Sequence, residues 1–250
     1  MAVIDINADL GEGFGIWELG DDLALLDVIT SANVACGFHA GDPVIMRRVC
    51  AAAVERGVTI GAQVSYRDLA GFGRREMDVA PAELTAEILY QVAALDGIAR
   101  AEGGHVAYVK PHGALYNRVA RDAVQARAVA DAVRAYDPSL PLLTLAGSAV
   151  SDVAEGLTVV AECFADRAYT ASGRLVSRRE PGAVVHDRDA VVQRAVRMAV
   201  EGTVVSVEGG EVVLDARSIC VHGDTPGAVE LARSVRSALS DAGVELEPFA

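Results

Sequence analysis

Short runs of apolar and β-branched residues alternate along the whole chain with longer segments of helical periodicity. Seven of these runs have the length and composition of buried parallel strands. They span residues 3–11, 31–39, 58–66, 105–113, 141–148, 158–167 and 218–224. No Pro- or Ser-rich linker separates them, so the pattern predicts a single α/β domain over residues 1–250.

The longer segments between the runs carry the signals that start and stop helices. Asp42 can cap a helix whose first residue is Pro43, and Gly57 follows its last turn. Pro81 and Gly103 bracket the next helix in the same way. Within it, apolar residues recur on one face, which predicts packing against a sheet; these are Leu84, Ile88, Val92 and Leu95.

Seven strand–helix units can either close into a barrel or form an open, doubly wound sheet. In an open sheet the site collects at one switch point, whereas every strand of a barrel contributes its carboxyl end to a shared mouth. Nearly every run here ends in polar residues beside glycine. The pattern therefore favours a closed seven-stranded β/α barrel. A hairpin with a two-residue turn at Gly209-Gly210 is predicted in addition.

The net charge of the chain limits the classes of partner that it can bind. It has 35 acidic and 22 basic residues, a formal net charge of −13. Such an excess of negative charge repels a phosphate backbone, which excludes nucleic acid as a partner. The first residues do not have the basic and apolar pattern of a targeting segment, and no run of about 18 apolar residues occurs. We therefore expect a cytoplasmic protein without a membrane partner.

The four cysteines are far apart in the chain and form no Cys-x-x-Cys pair. This spacing indicates buried, reduced thiols and argues against a disulfide framework or a zinc knuckle. The alternative for one of them, Cys36, is a nucleophile.

Polar residues gather at the ends of the predicted strands. Three of the five histidines lie there beside glycine, where a side chain can reach a ligand without a bulky neighbour. Because the ends of barrel strands meet at one mouth, we expect these side chains to lie close together. In strand order the candidates are Asp9 and Glu12; Asn33 and His39; Gln63 and Ser65; Lys110 and His112; Glu162, Asp166 and Arg167; and His222 and Asp224.

Each candidate also has a purely structural interpretation. Asp9 and Glu12 could cap the backbone amides of a turn. Lys110 could end a strand at the surface, although the proline after it favours an extended conformation at this position. Arg74, which follows Gly-Phe-Gly, could open a helix or could clamp a carboxylate or phosphate.

A cation, several imidazoles and several carboxylates around one mouth suit the hydrolysis of an amide-like bond. A carboxylate or a histidine would activate water, while Lys110 or an arginine would hold an anionic oxygen. The same groups could instead hold a divalent metal, since His and Asp are common zinc and manganese ligands. Spacing alone leaves both alternatives open. Neither a dinucleotide-binding fingerprint nor a P-loop pattern occurs.

Six sequence blocks follow one another in the order NADLGEGFG, ANVACGFHAGDP, GFGRR, VKPHGALYN, ECFADRAY and CVHGD. Together they resemble the LamB/YcsF family, whose fold is similar to the irregular barrels of sugar deacetylases and some glycoside hydrolases. The resemblance implies opening of the lactam ring of 5-oxo-L-proline to L-glutamate, coupled to ATP hydrolysis and carried out with partner subunits B and C. It also implies that the partners bind ATP and phosphorylate the lactam oxygen.

Carried onto the matching positions, the resemblance implies two sets of site residues. The catalytic set is Asp9, Glu12, His39, Lys110 and His112. The substrate-binding set is Asn7, Asn33, Arg74, Glu162, Asp166, Arg167, His222 and Asp224. Two other functions remain as alternatives, namely a stand-alone metal-dependent deacetylase or amidohydrolase, and a non-catalytic subunit that only binds 5-oxoproline.

One position departs from the family pattern. Many members have Gly-Ala-His-Pro at the third strand end, where this chain has Gly-Ala-Gln63-Val. If that histidine were an obligatory metal ligand, Gln63 would be a poor substitute. The departure therefore favours general acid–base chemistry, and no metal ligand is assigned from the sequence.

Overall fold

The computed structural model describes residues 2–221 and 227–250. Its strands are β1 Val3–Leu10, β2 Ser31–Ala35, β3 Thr59–Val64, β4 Val106–Pro111, β5 Leu142–Leu145, β6 Val159–Phe164, β7 Thr203–Val205, β8 Glu211–Val213, β9 Ser218–Val221 and β10 Glu245–Leu246. Its α-helices are α1 Asp22–Leu26, α2 Pro43–Arg56, α3 Pro81–Ala101, α4 Gly113–Val119, α5 Ala123–Tyr136, α6 Val150–Val153, α7 Arg188–Glu201 and α8 Ala228–Asp241. A short 3₁₀ helix spans Leu69–Gly71.

Seven parallel strands close into a barrel in the order β1, β2, β3, β4, β5, β6 and β9, with β9 pairing back onto β1. This confirms the predicted fold, and each of the seven predicted runs contains one barrel strand. The barrel is irregular between β4 and β5, where Val109 and Leu142 are the registered pair. The short β10 extends the sheet beside the start of β1.

Strand alternation sorts the residues of β1 onto two buried faces. Ile4, Ile6 and Ala8 join the large apolar core that the surrounding helices cover. Asp5 and Asn7, at the alternate positions, are also buried and form hydrogen bonds across the barrel interior. The barrel is thus apolar on its outside and polar along much of its inside.

One part of the barrel interior, at the end away from the mouth, is mainly apolar. Tyr108 packs there with Leu143 and Val160 in a separate small cluster. The ring of Phe249 meets that of Tyr108 edge to face at 4.8 Å. These contacts fill the interior away from the mouth.

The predicted helix signals are confirmed. The Asp42 side chain accepts hydrogen bonds from the amides of Val44 and Ile45, and α2 ends at Gly57 with φ of +66°. Helix α3 begins at Pro81, and its predicted apolar face is fully buried.

The predicted hairpin also forms, as β7 and β8, but its loop is longer than predicted. Val205 pairs with Glu211, so five residues connect the strands. The amide of Gly209 donates to the Ser206 carbonyl at 3.0 Å, and Gly209 has φ of +88°. This is a turn followed by a left-handed residue, a common longer hairpin loop, so the prediction of a two-residue turn was wrong.

All four cysteines are buried and free of disulfides, as predicted. Burial raises the pKa of the Cys36 thiol, which opposes formation of the thiolate that a nucleophile requires. In the part of the chain that the structure describes, no helix is both long and apolar enough to cross a membrane.

Candidate active site

Side chains from neighbouring strand ends meet at the mouth of the barrel. Glu12 follows β1, His39 follows β2 and His112 follows β4. The two imidazole rings are stacked, with centroids 4.1 Å apart. Their Nε2 atoms lie 3.8 Å (His39) and 3.5 Å (His112) from the same carboxylate oxygen, Glu12 Oε1. We call these three residues the imidazole–carboxylate cluster.

Gln63, near the end of β3, lies against this cluster. Its Nε2 donates to Glu12 Oε1 at 3.3 Å, and its Oε1 lies 3.2 Å from His39 Nε2. All four side chains are buried. In such a low-dielectric setting, a proton or a cation at one of these atoms changes the electrostatic energy of the others strongly.

Two glycines allow the loop after β3 to lie directly on the imidazole pair. A Cβ at Gly73, where φ is +65°, would lie 2.9 Å from His39 Cβ and 2.4 Å from Ser65 Oγ. A Cβ at Gly113, where φ is +59°, would lie 2.4 Å from the Gly73 carbonyl oxygen. Phe72 from the same loop places its ring edge-on to both imidazoles. The loop therefore shields the cluster from solvent.

Lys110, two residues before His112, points into the barrel and is buried. Its Nζ lies 2.9 Å from Glu162 Oε2 and 3.3 Å from Asp9 Oδ1. It also donates to Asn7 Oδ1 at 3.0 Å. Two carboxylates and one amide oxygen thus hold the ammonium at a fixed position at the base of the mouth.

A layer of hydrogen-bonded side chains supports Lys110 from below. Asn33 Nδ2 donates to Asn7 Oδ1 at 2.7 Å and to Asp9 Oδ1 at 2.8 Å. The hydroxyl of Tyr108 donates to Asn33 Oδ1 at 2.6 Å. Asn7 Nδ2 in turn donates to Ser218 Oγ at 2.6 Å. These bonds fix the amide orientations and so fix the oxygen atoms that face the ammonium.

Burial lowers the pKa of both central bases, but their charged neighbours make the two outcomes opposite. Burial, together with the neighbouring His39, holds the pKa of His112 well below its ordinary value. Burial alone would also lower the pKa of Lys110, but the carboxylates of Asp9 and Glu162 outweigh it and raise the pKa of that ammonium well above its ordinary value. The mouth therefore combines a neutral imidazole with a charged ammonium.

The predicted site residues fall into four groups in the structure, the last of which is Asp166 and Arg167. Those of the cluster and of the Lys110 surroundings come together as predicted: Asn7, Asp9, Glu12, Asn33, His39, Lys110, His112 and Glu162. Arg74 lies at the rim, with its guanidinium 4.9 Å from the Phe72 ring centroid. His222 and Asp224 lie outside the residues that the structure describes.

Arg167 and Asp166 begin the long connection between β6 and α7. The buried Arg167 guanidinium donates to the carbonyl oxygens of Val176 (2.7 Å) and Ala183 (3.3 Å) within that connection. The backbone of Asp166 is held there too, because its carbonyl accepts from the Val185 amide. Their assignment to substrate binding stays a prediction.

The sequence reasoning missed several polar residues of the barrel interior. Asp5 accepts hydrogen bonds from Ser31 and Ser218, and Tyr108 bonds to Asn33. Tyr116 is buried close to Glu162, and burial, with that carboxylate, raises the pKa of its hydroxyl. A signal was available for two of them: Asp5 precedes Asn7 by two residues and Tyr108 precedes Lys110 by two, the spacing of one strand face.

Comparison with known proteins agrees with this architecture. The LamB/YcsF family matches residues 4–250. A Streptomyces avermitilis protein that is named as a 5-oxoprolinase subunit is 65% identical over 250 residues, which cover 99% of this chain and all of the relative. The crystal structure of a lactam utilization protein from Thermus thermophilus superimposes with a TM-score of 0.94 at 45% identity, covering 99% of this chain and 100% of that one.

A more distant likeness concerns the fold alone. A family 4 carbohydrate esterase from Streptomyces lividans is 14% identical, with a TM-score of 0.52 over 100% of this chain and 93% of the esterase. The barrel is therefore shared with carbohydrate esterases. The match over nearly the whole length and the 65% identical relative show that this chain belongs to the LamB/YcsF family.

Proposed function

We propose that this chain is the lactam-opening subunit of an ATP-dependent 5-oxoprolinase, which converts 5-oxo-L-proline to L-glutamate together with partner subunits B and C. The observation that carries the proposal is one buried mouth in which a charged lysine lies next to an imidazole–carboxylate cluster. The 65% identical relative, whose name is that of a 5-oxoprolinase component, supports the choice of substrate.

The arrangement matches the chemical needs of the substrate. 5-Oxoproline carries one carboxylate and one cyclic amide. Lys110, which Asp9 and Glu162 fix in place, attracts an anionic oxygen of the substrate. The imidazole–carboxylate cluster activates a water molecule, whose oxygen adds to the lactam carbonyl carbon. The ring C–N bond then breaks and the nitrogen takes a proton, which leaves an acyl phosphate because the lactam oxygen is phosphorylated. Hydrolysis of this acyl phosphate by a second water releases inorganic phosphate and gives a product with a free amine and a second carboxylate.

In this proposal the partner subunits, and not this chain, bind ATP. This chain has no P-loop or dinucleotide fingerprint. An unactivated amide is a poor electrophile, and phosphorylation of its oxygen withdraws electrons from the carbonyl carbon, which makes that carbon more reactive toward water. We assign ATP binding and phosphorylation to subunits B and C and ring opening to this chain. Because the reaction depends on ATP, we place it in the cytoplasm.

Reconstitution tests the proposal. Glutamate and ADP are measured after 5-oxoproline and ATP are given to subunits B and C, with and without this chain. We expect glutamate only in the complete mixture, and we expect the Lys110→Met variant to fail where the exposed-site variant His186→Gln succeeds. Glutamate formation by B and C alone at the full rate would show that this chain is not the lactam-opening subunit.

A further inference from the structure

Three metal-ligating atoms converge at the mouth of the barrel. One atom each from Glu12, His39 and His112 lies within 4.8 Å of the other two, and all three residues are buried. They come from three different strand ends, which the closed barrel holds at fixed positions. We propose that these residues bind one divalent first-row transition-metal cation, with the Gln63 amide oxygen beside it.

The distances between the Glu12 carboxylate and the two imidazoles fit a shared cation better than they fit direct hydrogen bonds. Glu12 Oε1 lies 3.5 Å from His112 Nε2 and 3.8 Å from His39 Nε2. Hydrogen bonds between such atoms are about 2.7–3.2 Å long. Atoms that share a metal at about 2.0–2.2 Å are themselves about 3–3.6 Å apart. The two measured distances are thus too long for hydrogen bonds and close to those of ligands around one ion.

The donor set also points to a particular class of metal. Two imidazoles and one carboxylate are the ligands of sites that leave open positions for water or substrate, and they suit Zn²⁺, Fe²⁺, Co²⁺ and Mn²⁺. Further carboxylates, those of Asp9 and Glu162, lie in the same mouth. A divalent cation would offset part of this concentration of negative charge.

The structure changes the interpretation of Gln63. Taken alone, glutamine at the third strand end argues against a metal. In the structure the three converging ligands come from other positions, and Gln63 presents an amide oxygen 3.2 Å from His39 Nε2. An amide oxygen is an acceptable ligand for Mn²⁺ and a good partner for a metal-bound water.

A bound cation would polarise a carbonyl oxygen or lower the pKa of a bound water. With a cation bound, Glu12, His39 and His112 would hold the ion, and the ion would supply the activation of water that the proposed function assigns to the cluster. Lys110 would remain the anchor for an anionic oxygen. The inference extends the proposed function but does not depend on which lactam is the substrate.

The test measures metal directly. The purified chain is loaded separately with Zn²⁺, Mn²⁺ and Co²⁺, freed of excess ion by gel filtration and analysed by plasma mass spectrometry, with affinity taken from competition against a chelating dye. We expect retention of about one ion per chain and a loss of affinity of at least about 100-fold in Glu12→Gln. The matched control is His105→Gln, at an exposed histidine, which should bind like the parent chain. No retained ion, or equal affinity in Glu12→Gln and the parent, would overturn the site.

A second variant keeps the test valid if Glu12→Gln does not fold. Gln63→His adds an imidazole beside His39 without removing a proposed ligand. We expect tighter binding and a changed visible absorption of the Co²⁺ form, whereas unchanged affinity and spectrum would contradict the proposed location. Neither readout involves turnover, so an inactive but metal-loaded chain would count against the proposed function and leave the metal site standing.

Discussion

The two halves of the barrel use their strand ends differently. After β1, β2 and β4, the residues Glu12, His39 and His112 turn directly into the mouth. After β6, the chain instead makes a long connection in which the buried Arg167 bonds to backbone carbonyls. Among the residues that the structure describes, the β1–β4 half carries the cluster and Lys110, while the other half adds a counter-charge, Glu162, and Arg167 binds its own connection. We therefore assign the proposed chemistry to the half whose strand ends leave polar side chains facing the mouth.

Substituting His112 should have the largest effect on turnover. His112→Asn removes an imidazole from the cluster while keeping a polar side chain, so we expect kcat in the reconstituted reaction to fall about 10²–10⁴-fold. The exposed His105→Asn is the matched control and should be unchanged. If His112→Asn kept more than a tenth of the activity with the same unfolding temperature, the assignment of the bond-breaking step to the β1–β4 half would be wrong.

Removing the charge of Lys110 should be the most costly change for stability. Lys110→Met leaves the buried carboxylate of Glu162 and the partly buried carboxylate of Asp9 without their cation, and loss of the partner of a buried charge typically costs about 3–5 kcal/mol. The double variant Lys110→Met/Glu162→Gln removes one of those charges and should recover part of the loss. Urea unfolding of the parent, both single variants and the double variant measures the coupling. Strict additivity would show that Glu162 does not act as the counter-charge.

Alanine substitution of one glycine in each half allows the two halves to be compared at a similar backbone geometry. Gly73 and Gly147 have φ of +65° and +70°, but a Cβ at Gly73 meets Ser65 and His39, whereas one at Gly147 meets nothing within 4 Å. Alanine at either position costs about 1–2 kcal/mol for the left-handed backbone. We expect Gly73→Ala to cost about 2–4 kcal/mol and to reduce turnover, because the loop must move off the cluster. Gly147→Ala should keep full turnover. Equal losses in the two variants would mean that only backbone strain matters.

The fold could be predicted from the sequence because its signals are local. Each barrel strand is a short apolar run, and each helix start and stop is set by adjacent residues such as Asp42 and Gly57. The cluster residues were found for a related reason, since they stand next to glycine at strand ends. Polar residues within strands were harder to interpret. Asp5 and Tyr108 are buried only because distant strands bring Ser31, Ser218 and Asn33 against them.

Arg167 illustrates the same limit of sequence-based prediction, in this case for a residue that the sequence assigns to the site. Like Lys110, it is a cation near the end of one of the seven predicted runs and matches a position of the family pattern, so the sequence assigns both to the site. The structure distinguishes them by their partners, which are carboxylates for Lys110 and backbone carbonyls for Arg167. Those carbonyls belong to residues far along the connection, whose path no local pattern encodes.

Arg167→Met should have the smallest effect on turnover and a moderate effect on stability. The substitution removes the donor to the partly buried Val176 carbonyl, while the Ala183 carbonyl keeps its bond from the Ala168 amide, so we expect a loss of about 1–3 kcal/mol in urea unfolding. The expected change in kcat is small, because the guanidinium binds the loop that carries it. Arg174→Met, at an exposed arginine of the same connection, is the control and should match the parent in both measurements. A rise of about 10-fold or more in KM for 5-oxoproline, in a variant that unfolds like the parent, would instead place Arg167 on the substrate. The β5–β9 half would then share in recognition, and the division between the two halves would apply only to the bond-breaking step.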